Sequence, residues 1–179
     1  IGFALFVIAF LWWVLLGAWI AVRFSSPGAA IFAQERIGKG RKPFICYKFR
    51  TMHTGTRQAG THEMSTSSIT RVGAILRRTK IDELPQIWNL LRGNLSLVGP
   101  RPGLPVQSEL LDARQACGVY QILPGITGWA QIQDIDMSDP KRLAHTDAEY
   151  IALRSVLMDL KIIIATATGR GQGDKVGKP

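Results

Sequence analysis

The sequence predicts an α/β protein: a small, mostly helical domain with a few short strands, preceded by one membrane-inserted helix. Three observations lead to this fold class. The first 22 residues carry no charge, short stretches with period-two alternation follow them, and from residue 69 the apolar residues recur at helical spacing. The chain has 179 residues, 46% of them hydrophobic, which suits one domain with a packed core and excludes a disordered chain.

The charges divide the chain into a basic part and a nearly neutral part. In total, 22 Lys and Arg face 13 Asp and Glu, a net charge of +9. Residues 23–80 hold 12 basic and 2 acidic residues, a net of +10, and residues 81–179 hold 10 basic and 11 acidic residues, a net of −1. A basic block beside an apolar segment suits anionic lipid headgroups, nucleotide phosphates or nucleic acid. The charge alone leaves these three ligands open.

The apolar run over residues 1–22 predicts a membrane-inserted helix. As an α-helix it would extend about 33 Å, enough to cross a hydrocarbon core. Its three tryptophans suit a lipid interface, and the basic residues that follow place the rest of the chain on the cytoplasmic side by the positive-inside rule. A secretory signal peptide is the alternative, but the run is long and no small-residue cleavage site follows it.

The segment after this helix predicts two short strands. Two apolar stretches flank a turn rich in Gly, Lys and Arg, and the period of two in residues 44–52 places Lys48 and Arg50 on one face. Two cations side by side form a phosphate grip, so both are predicted substrate-binding residues. A solvated strand face explains the same pattern. The polar stretch over residues 53–68 is predicted to be a loop.

A basic amphipathic helix is predicted from residue 69 onward. Ile69, Val72, Ile75 and Leu76 form an apolar stripe, and four basic residues surround it. Such a helix can lie in a membrane interface. An ordinary helix with its apolar face toward the core and its charges toward water fits equally well.

The next predicted helix begins at Asp82 and ends at Gly93. Asp82 can act as the N-cap, Pro85 is tolerated in a first turn, and Gly commonly follows a helix end. Capping and the helix dipole explain the adjacent carboxylates of Asp82 and Glu83 structurally. They also have a chemical explanation, in which one carboxylate attacks a phosphorus atom while the other holds a divalent cation.

Arg101 lies between Pro100 and Pro102. Because both prolines have a fixed φ, the guanidinium is presented from a stiff loop. A planar fork with a permanent charge suits a diphosphate. A rigid turn with an arginine facing solvent is the alternative.

The C-terminal part predicts one or two helices that begin near Ser138 or Pro140. Asp159 lies among apolar residues there, so its burial would require a partner such as an arginine or a metal ion. A carboxylate that faces solvent is the alternative. Residues 169–179 are predicted to be disordered.

Five strings follow one another along nearly the whole chain: QERIG, KPFICYKFRTM, LRRTKIDELPQIWNLLRGNLSLVGPRP, LPGITGWAQI and YIALRSVLMDLKI. In this order and spacing they resemble the bacterial sugar transferases, the monotopic phosphoglycosyl transferases. The resemblance implies transfer of a sugar 1-phosphate from a nucleotide diphosphate sugar, usually a UDP-sugar, to a polyprenyl phosphate such as undecaprenyl phosphate. UMP is released, and assembly of a lipid-linked glycan begins.

The resemblance also implies residue roles. Asp82 corresponds to the family's nucleophile, which forms a covalent phosphosugar intermediate, and Glu83 corresponds to its Mg²⁺ ligand. Arg101 and Pro102 fall on the Pro-Arg-Pro element, which contacts the nucleotide or a phosphate. Three further residues match positions around the family's active site: Lys48, Arg77 and Asp159, the last a second predicted metal ligand.

In the family's monotopic members the membrane helix is re-entrant and broken near its middle, commonly by a Ser-Pro pair. Residues 1–22 contain no proline, and Ser26-Pro27 lies after the run. The resemblance therefore implies a re-entrant helix, and a transmembrane crossing is the alternative. We expect residues 1–22 in the bacterial inner membrane, residues 23–168 as a catalytic domain on its cytoplasmic face, and residues 169–179 as the tail.

The expected partners are the UDP-sugar, the polyprenyl phosphate and membrane lipids, with Mg²⁺ as cofactor and no nucleic acid. A homodimer and the identity of the sugar remain open. Two other functions are compatible with parts of the sequence. One is a noncatalytic membrane module that binds anionic lipid or nucleic acid, and the other is a metal-dependent phosphohydrolase that passes the phosphosugar to water.

Overall fold

The computed structural model describes residues 2–55 and 68–171. Within these ranges the protein is mostly helical with a few short strands, which confirms the predicted fold class. The α-helices are α1 Gly2–Ser25, α2 Arg71–Thr79, α3 Ile87–Leu91, α4 Ser108–Ala116, α5 Trp129–Ile132, α6 Pro140–Leu153 and α7 Val156–Ala167. The strands are β1 Ile31–Ile37, β2 Pro43–Phe49, β3 Ser96–Val98 and β4 Gly125–Thr127. Most of the predicted loop over residues 53–68 and of the predicted tail over residues 169–179 lies outside the described residues.

The chain folds into two compact units. Of the described residues, the first unit contains 2–34, 45–55 and 68–93, and the second contains 35–44 and 94–171. Helix α1 thus belongs to the same unit as α2 and α3. The hairpin of β1 and β2 contributes its base to the first unit and its tip to the second.

Helix α1 is uninterrupted over 24 residues, about 36 Å at the usual rise per residue. Ala18 and Val22 near its end are buried against Phe49 and Leu76 in the core of the first unit. Most of its large apolar side chains are exposed, and the stretch Ile8–Ser25 has the length and composition of a membrane-crossing helix. The break that the resemblance implies does not occur between residues 2 and 25, because this stretch lacks the proline that would remove a helical hydrogen bond.

Strands β1 and β2 pair as a hairpin, as the sequence predicts. The connection of residues 38–42 is too short for a parallel crossover, so the strands are antiparallel. The fully buried side chain of Asn89 docks α3 on β2. Its amide nitrogen donates to the carbonyl of Ile45 at 2.6 Å, and its amide oxygen accepts from the backbone N–H of Tyr47 at 3.1 Å.

Helix α2 is capped by Thr70, whose hydroxyl accepts from the backbone N–H of Gly73 at 2.9 Å. The predicted apolar stripe is divided. Leu76 is buried and Val72 packs against the same core, whereas Ile75 is 63% exposed. The stripe therefore faces the core only in part.

The second unit contains a pair of short parallel strands, β3 and β4, with Ser96 opposite Gly125 and Val98 opposite Thr127. Helix α7 packs on this pair through the fully buried Ile162. The C-terminal region was predicted to form one or two helices, and it forms two. The first begins at Pro140 behind the N-cap Asp139, and the second begins behind the N-cap Ser155.

Candidate active site

Asp82 and Glu83 lie in a 3₁₀ turn, Ile81–Gln86, rather than at the start of an α-helix. The prediction that Asp82 caps a helix is therefore wrong. The N-cap position belongs to Lys80, which has a left-handed backbone with φ of 58°, and α3 begins only at Ile87. Because a 3₁₀ helix has three residues per turn, adjacent side chains project about 120° apart. The two carboxylates are thus directed apart and can serve different purposes.

Glu83 forms an ion pair with Lys48 of β2. The Lys48 Nζ lies 2.7 Å from the Glu83 Oε1, and each side chain is only 17% exposed. Docking of α3 on β2 through Asn89 places the preceding 3₁₀ turn beside this strand. Because both charges are largely removed from water, their attraction is stronger than that of a surface pair. The structure thus brings together two of the predicted site residues.

Arg77 projects from α2 in the same unit. Its Nε donates to the hydroxyl of Thr51 at 2.9 Å. The carbonyl of Thr51 accepts from the N–H of Thr70 at 3.0 Å, so the start of α2 and the Arg77 side chain are fastened to one residue. This bond orients a half-buried guanidinium on the first unit.

Arg50 lies elsewhere than the sequence predicts. Its guanidinium donates to the carbonyls of Ser26 and Pro27, each at 2.7 Å, and of Val22 at 3.4 Å. The residue is 8% exposed and holds carbonyls at the C-terminal end of α1. A cation at this end satisfies orphan carbonyls and complements the helix dipole. This placement differs from the predicted phosphate grip with Lys48, because β2 ends at Phe49 and the chain leaves the strand there.

Arg101 and Pro102 belong to the second unit, where outside donors hold the loop from Pro100 to Gly103. Each carbonyl of the loop accepts a hydrogen bond. The donors to the successive carbonyls are the Gly125 N–H at 2.9 Å, the Arg114 Nη1 at 2.8 Å, the Arg36 Nη1 at 3.0 Å and the Ile37 N–H at 3.0 Å. The predicted stiffness of this loop therefore has a second source besides its prolines.

Arg114 and Asp147 form a buried ion pair that sequence reasoning missed. The Asp147 Oδ2 accepts from the Arg114 Nη2 at 2.6 Å and from its Nε at 2.9 Å. Burial raises the pKa of Asp147, and Arg114 opposes this shift. The sequence carried a signal for Asp147, which follows Leu143 by four residues and precedes Tyr150 by three, on the buried face of α6.

Asp159 also lies in the second unit, on α7. Its Oδ1 accepts a hydrogen bond from the Tyr150 hydroxyl at 2.7 Å. Burial, and then this hydrogen bond, raise the pKa of Tyr150, so the phenol stays protonated at neutral pH. The structure thus gives Asp159 a tyrosine partner where the sequence suggested an arginine or a metal ion.

A cleft in the second unit is lined by Arg101, by Gln131 on α5 and by the buried Asp147 on α6. Most of the rest of its lining comes from residues in and after α5 and from α6, both acidic and apolar: Ala130, Asp134, Ile135, Asp136, Met137 and Leu143. The side chain that the resemblance assigns to the nucleotide therefore borders a concave surface that is largely apolar and also carries acidic side chains.

The carboxylates fit one mode of Mg²⁺ binding. Among the described residues, no three His, Cys, Asp or Glu side chains are close enough to form a metal site by themselves. Mg²⁺ commonly keeps several waters and is held by one or two carboxylates together with substrate phosphates. Glu83 would supply one carboxylate of this kind, with Lys48 beside it.

Comparison with known proteins extends these observations. The profile of the family described as "Bacterial sugar transferase" matches residues 1–171. A UDP-glucose:undecaprenyl-phosphate glucose-1-phosphate transferase of Caulobacter vibrioides is 41% identical, over 86% of this chain and 61% of its own length. A UDP-N-acetylgalactosamine-undecaprenyl-phosphate N-acetylgalactosaminephosphotransferase of Aeromonas hydrophila is 35% identical, over 86% of this chain and 38% of its own length. An exopolysaccharide production protein, PSS, of Rhizobium leguminosarum bv. phaseoli is 36% identical, over 89% of this chain and 88% of its own length.

The chain spans less than two thirds of the length of the Caulobacter and Aeromonas proteins. The family profile nevertheless covers both of its compact units, with the 3₁₀ turn in one and the Pro100–Gly103 loop in the other. The chain therefore belongs to the bacterial sugar transferase family.

Proposed function

We propose that this protein transfers a sugar 1-phosphate from a UDP-sugar to undecaprenyl phosphate and releases UMP. The names of the relatives support the donor and the acceptor. The observation that carries the proposal is the pair of carboxylates on the 3₁₀ turn, with a cation already bound to one of them. A noncatalytic lipid-binding module has no need of this arrangement.

The reaction proceeds by two displacements at one phosphorus atom. A carboxylate oxygen of Asp82 bonds to the phosphorus next to the sugar. The phosphoanhydride P–O bond breaks, and UMP leaves with the bonding electron pair. A phosphate oxygen of the undecaprenyl phosphate then bonds to the same phosphorus, the bond to Asp82 breaks, and the carboxylate is regenerated. Because UMP departs before the lipid reacts, the kinetics are expected to be ping-pong.

Fixed cations make the first displacement feasible, because a carboxylate and a diphosphate repel each other. Lys48 offsets the charge of Glu83 within the first unit. A Mg²⁺ ion held by Glu83 and the phosphates would neutralise further charge on the donor. Arg77, Arg101 and Pro102 are proposed, from the resemblance, to contact the donor, and Asp159 stays a predicted metal ligand.

We further propose that α1 lies in the bacterial inner membrane with the reacting residues at its cytoplasmic face. The basic residues that follow α1 favour this orientation by the positive-inside rule. An acceptor with a long polyprenyl chain resides in the bilayer, so a membrane-bound enzyme meets its phosphate at the interface.

UMP release from a panel of UDP-sugars, with Mg²⁺ and undecaprenyl phosphate in detergent, tests the proposal. We expect steady release with at least one donor and no release by Asp82→Asn. Without the lipid acceptor, a burst of one UMP per chain should leave the sugar phosphate attached to the protein, detectable as a mass increase. Asp112→Asn, at an exposed carboxylate on α4, is the matched control and should leave the rate unchanged.

Other outcomes favour other functions. Steady UMP release without the acceptor would indicate a hydrolase. If the Asp82→Asn variant still releases UMP, Asp82 is not the nucleophile. No release from folded protein with any donor would contradict the transferase and favour the lipid-binding module.

A further inference from the structure

All three guanidinium nitrogens of the buried Arg114 donate hydrogen bonds. Arg114 and Asp147 are each 2% exposed. Two nitrogens of the guanidinium donate to the Asp147 Oδ2, and the third donates to the carbonyl of Arg101 at 2.8 Å. The side chain thus connects α4, α6 and the loop that presents Arg101.

Packing alone does not account for this pair. The free energy lost when two charges are removed from water offsets much of the free energy gained from their attraction. Well-packed apolar residues of similar volume therefore often stabilise a fold as well as a buried ion pair does, or better. An apolar pair cannot donate a directed hydrogen bond to a backbone carbonyl. That bond is the property that the ion pair adds.

The bond falls on the backbone of Arg101 itself, so it bears on the direction in which the Cα–Cβ bond of this residue leaves the loop. Pro100 and Pro102 have no N–H groups, so the loop has few donors of its own and is held from outside. The peptide that joins Arg101 to Pro102 is planar. A fixed carbonyl on Arg101 therefore fixes its ψ angle, and with it the orientation of the residue relative to the loop.

We propose that Arg114, held by Asp147, is a positioning residue that orients Arg101 toward a nucleoside diphosphate. The proposal rests on the proposed function, in which Arg101 contacts the donor. Asp147 and Arg101 line the same cleft, so the ion pair lies directly behind the surface that Arg101 borders. A pre-oriented guanidinium loses less conformational freedom on binding a diphosphate than a mobile one.

UDP binding in a double-mutant cycle tests this role, because binding needs no turnover. Calorimetric titration of UDP with Mg²⁺ into the full chain in detergent compares four proteins. They are the wild type, Arg101→Ala, the paired replacement Arg114→Met with Asp147→Leu, and the combination of all three substitutions. We expect the paired replacement to raise the Kd for UDP about tenfold when Arg101 is present. When Arg101 has been replaced by alanine, the same replacement should raise the Kd by less than about twofold.

An equal loss of affinity in both backgrounds would overturn the proposal, because a merely structural effect does not depend on Arg101. Absence of UDP binding by the wild type would also overturn it. If the loss of UDP affinity depends on Arg101 but no UMP is released, this inference stands and the transferase proposal fails. If UMP is released but the loss of UDP affinity is the same with and without Arg101, the transferase proposal stands and this inference fails.

Thermal unfolding of each variant checks that the fold survives. If the paired replacement unfolds, Arg114→Lys replaces it in the cycle, since lysine keeps the charge but cannot engage Asp147 and Arg101 with one planar fork. The matched control is again Asp112→Asn, on the same helix as Arg114. Asp112 pairs with Arg41 at an exposed position, and its substitution should leave UDP affinity unchanged.

Discussion

One oxygen of the Glu83 carboxylate is already bound by Lys48, at 2.7 Å. The pair has no net charge, so an approaching diphosphate meets less repulsion than it would from Glu83 alone. The geometry of this one residue thus suits charge compensation beside a phosphate.

Lys48→Met is expected to lower the stability of the fold by about 1–2 kcal/mol, between the values for exposed and buried pairs. The reason is that Glu83 would keep its charge at a mostly buried position without its cation. UMP release should fall as well, because the donor would meet an uncompensated carboxylate. Thermal unfolding and the UMP assay measure the two effects.

Arg41→Met is the matched control for the stability measurement. Arg41 makes an ion pair of similar length with Asp112, but the two side chains are 44% and 69% exposed. Its removal should change stability by less than about 0.5 kcal/mol. Equal small losses in both variants would show that the Lys48–Glu83 pair stabilises no more than a surface pair.

Local sequence signals predicted some site residues and missed others for a physical reason. The carboxylates of Asp82 and Glu83 and the proline-flanked Arg101 are recognisable from their immediate neighbours. Arg114 and Asp147 are 33 positions apart, and nothing near either one identifies its partner. The partner of Arg50 was missed likewise, because Ser26, just after the end of α1, lies 24 residues before it.

At the scale of elements, the helical segments were predictable and their exact type was not. Periodicity located α2, the helix-start signal at Ser138 or Pro140 located α6, and the end signal at Gly93 located the region of α3. The 3₁₀ turn before α3 depends on Lys80, which adopts a left-handed backbone that lysine seldom takes, and on Pro85 within the turn. Residue preferences favour neither feature, so the sequence suggested an ordinary helix start.

At Gly73 in helix α2, helix propensity favours replacement by alanine, whereas close packing opposes it. Replacement of a helical glycine by alanine usually stabilises a helix by roughly 1 kcal/mol. A Cβ at Gly73 would collide with the backbone carbonyl of Thr51, which also anchors the start of the helix. Gly73→Ala is therefore expected to destabilise the protein and to disturb Arg77, which donates to Thr51.

Thermal unfolding measures the effect of Gly73→Ala, with the neighbouring Ala74→Gly as the comparison. Ala74 is exposed, so its replacement should cost only the helix propensity, about 1 kcal/mol. A larger loss for Gly73→Ala would agree with the predicted collision. A gain in stability would mean that α2 shifts freely from Thr51.

At the scale of the whole molecule, the apolar α1 and the basic residues after it offer two kinds of membrane attachment. Insertion of α1 depends on apolar surface and is insensitive to salt, whereas attraction of the basic block to anionic lipid is screened. We expect the full chain to remain on neutral phosphatidylcholine vesicles in about 1 M salt, a concentration at which screening acts over about 3 Å. Vesicle flotation measures this retention.

A chain in which the exposed Trp12, Trp13, Leu16 and Trp19 are replaced by glutamine serves as the comparison, since Ala18 and Val22 keep their places in the core. Its binding should require anionic lipid and fall as salt is added. Release of the full chain by salt would contradict insertion of α1. It would instead make the basic block the main attachment.

The loop from Pro100 to Gly103 also constrains when the protein can become competent during its synthesis. Arg36, which holds this loop, precedes its Pro102 by 66 residues, while Asp147, which neutralises Arg114, follows Arg114 by 33. A chain still growing on the ribosome reaches Arg101 well before it contains that carboxylate. Since distant contacts form late and domains fold as units, Arg101 acquires its orientation only after α6 has been made and has docked. A nascent chain thus contains its complete Asp82–Glu83 pair before the Arg101 loop of the second unit has all of its hydrogen-bond donors.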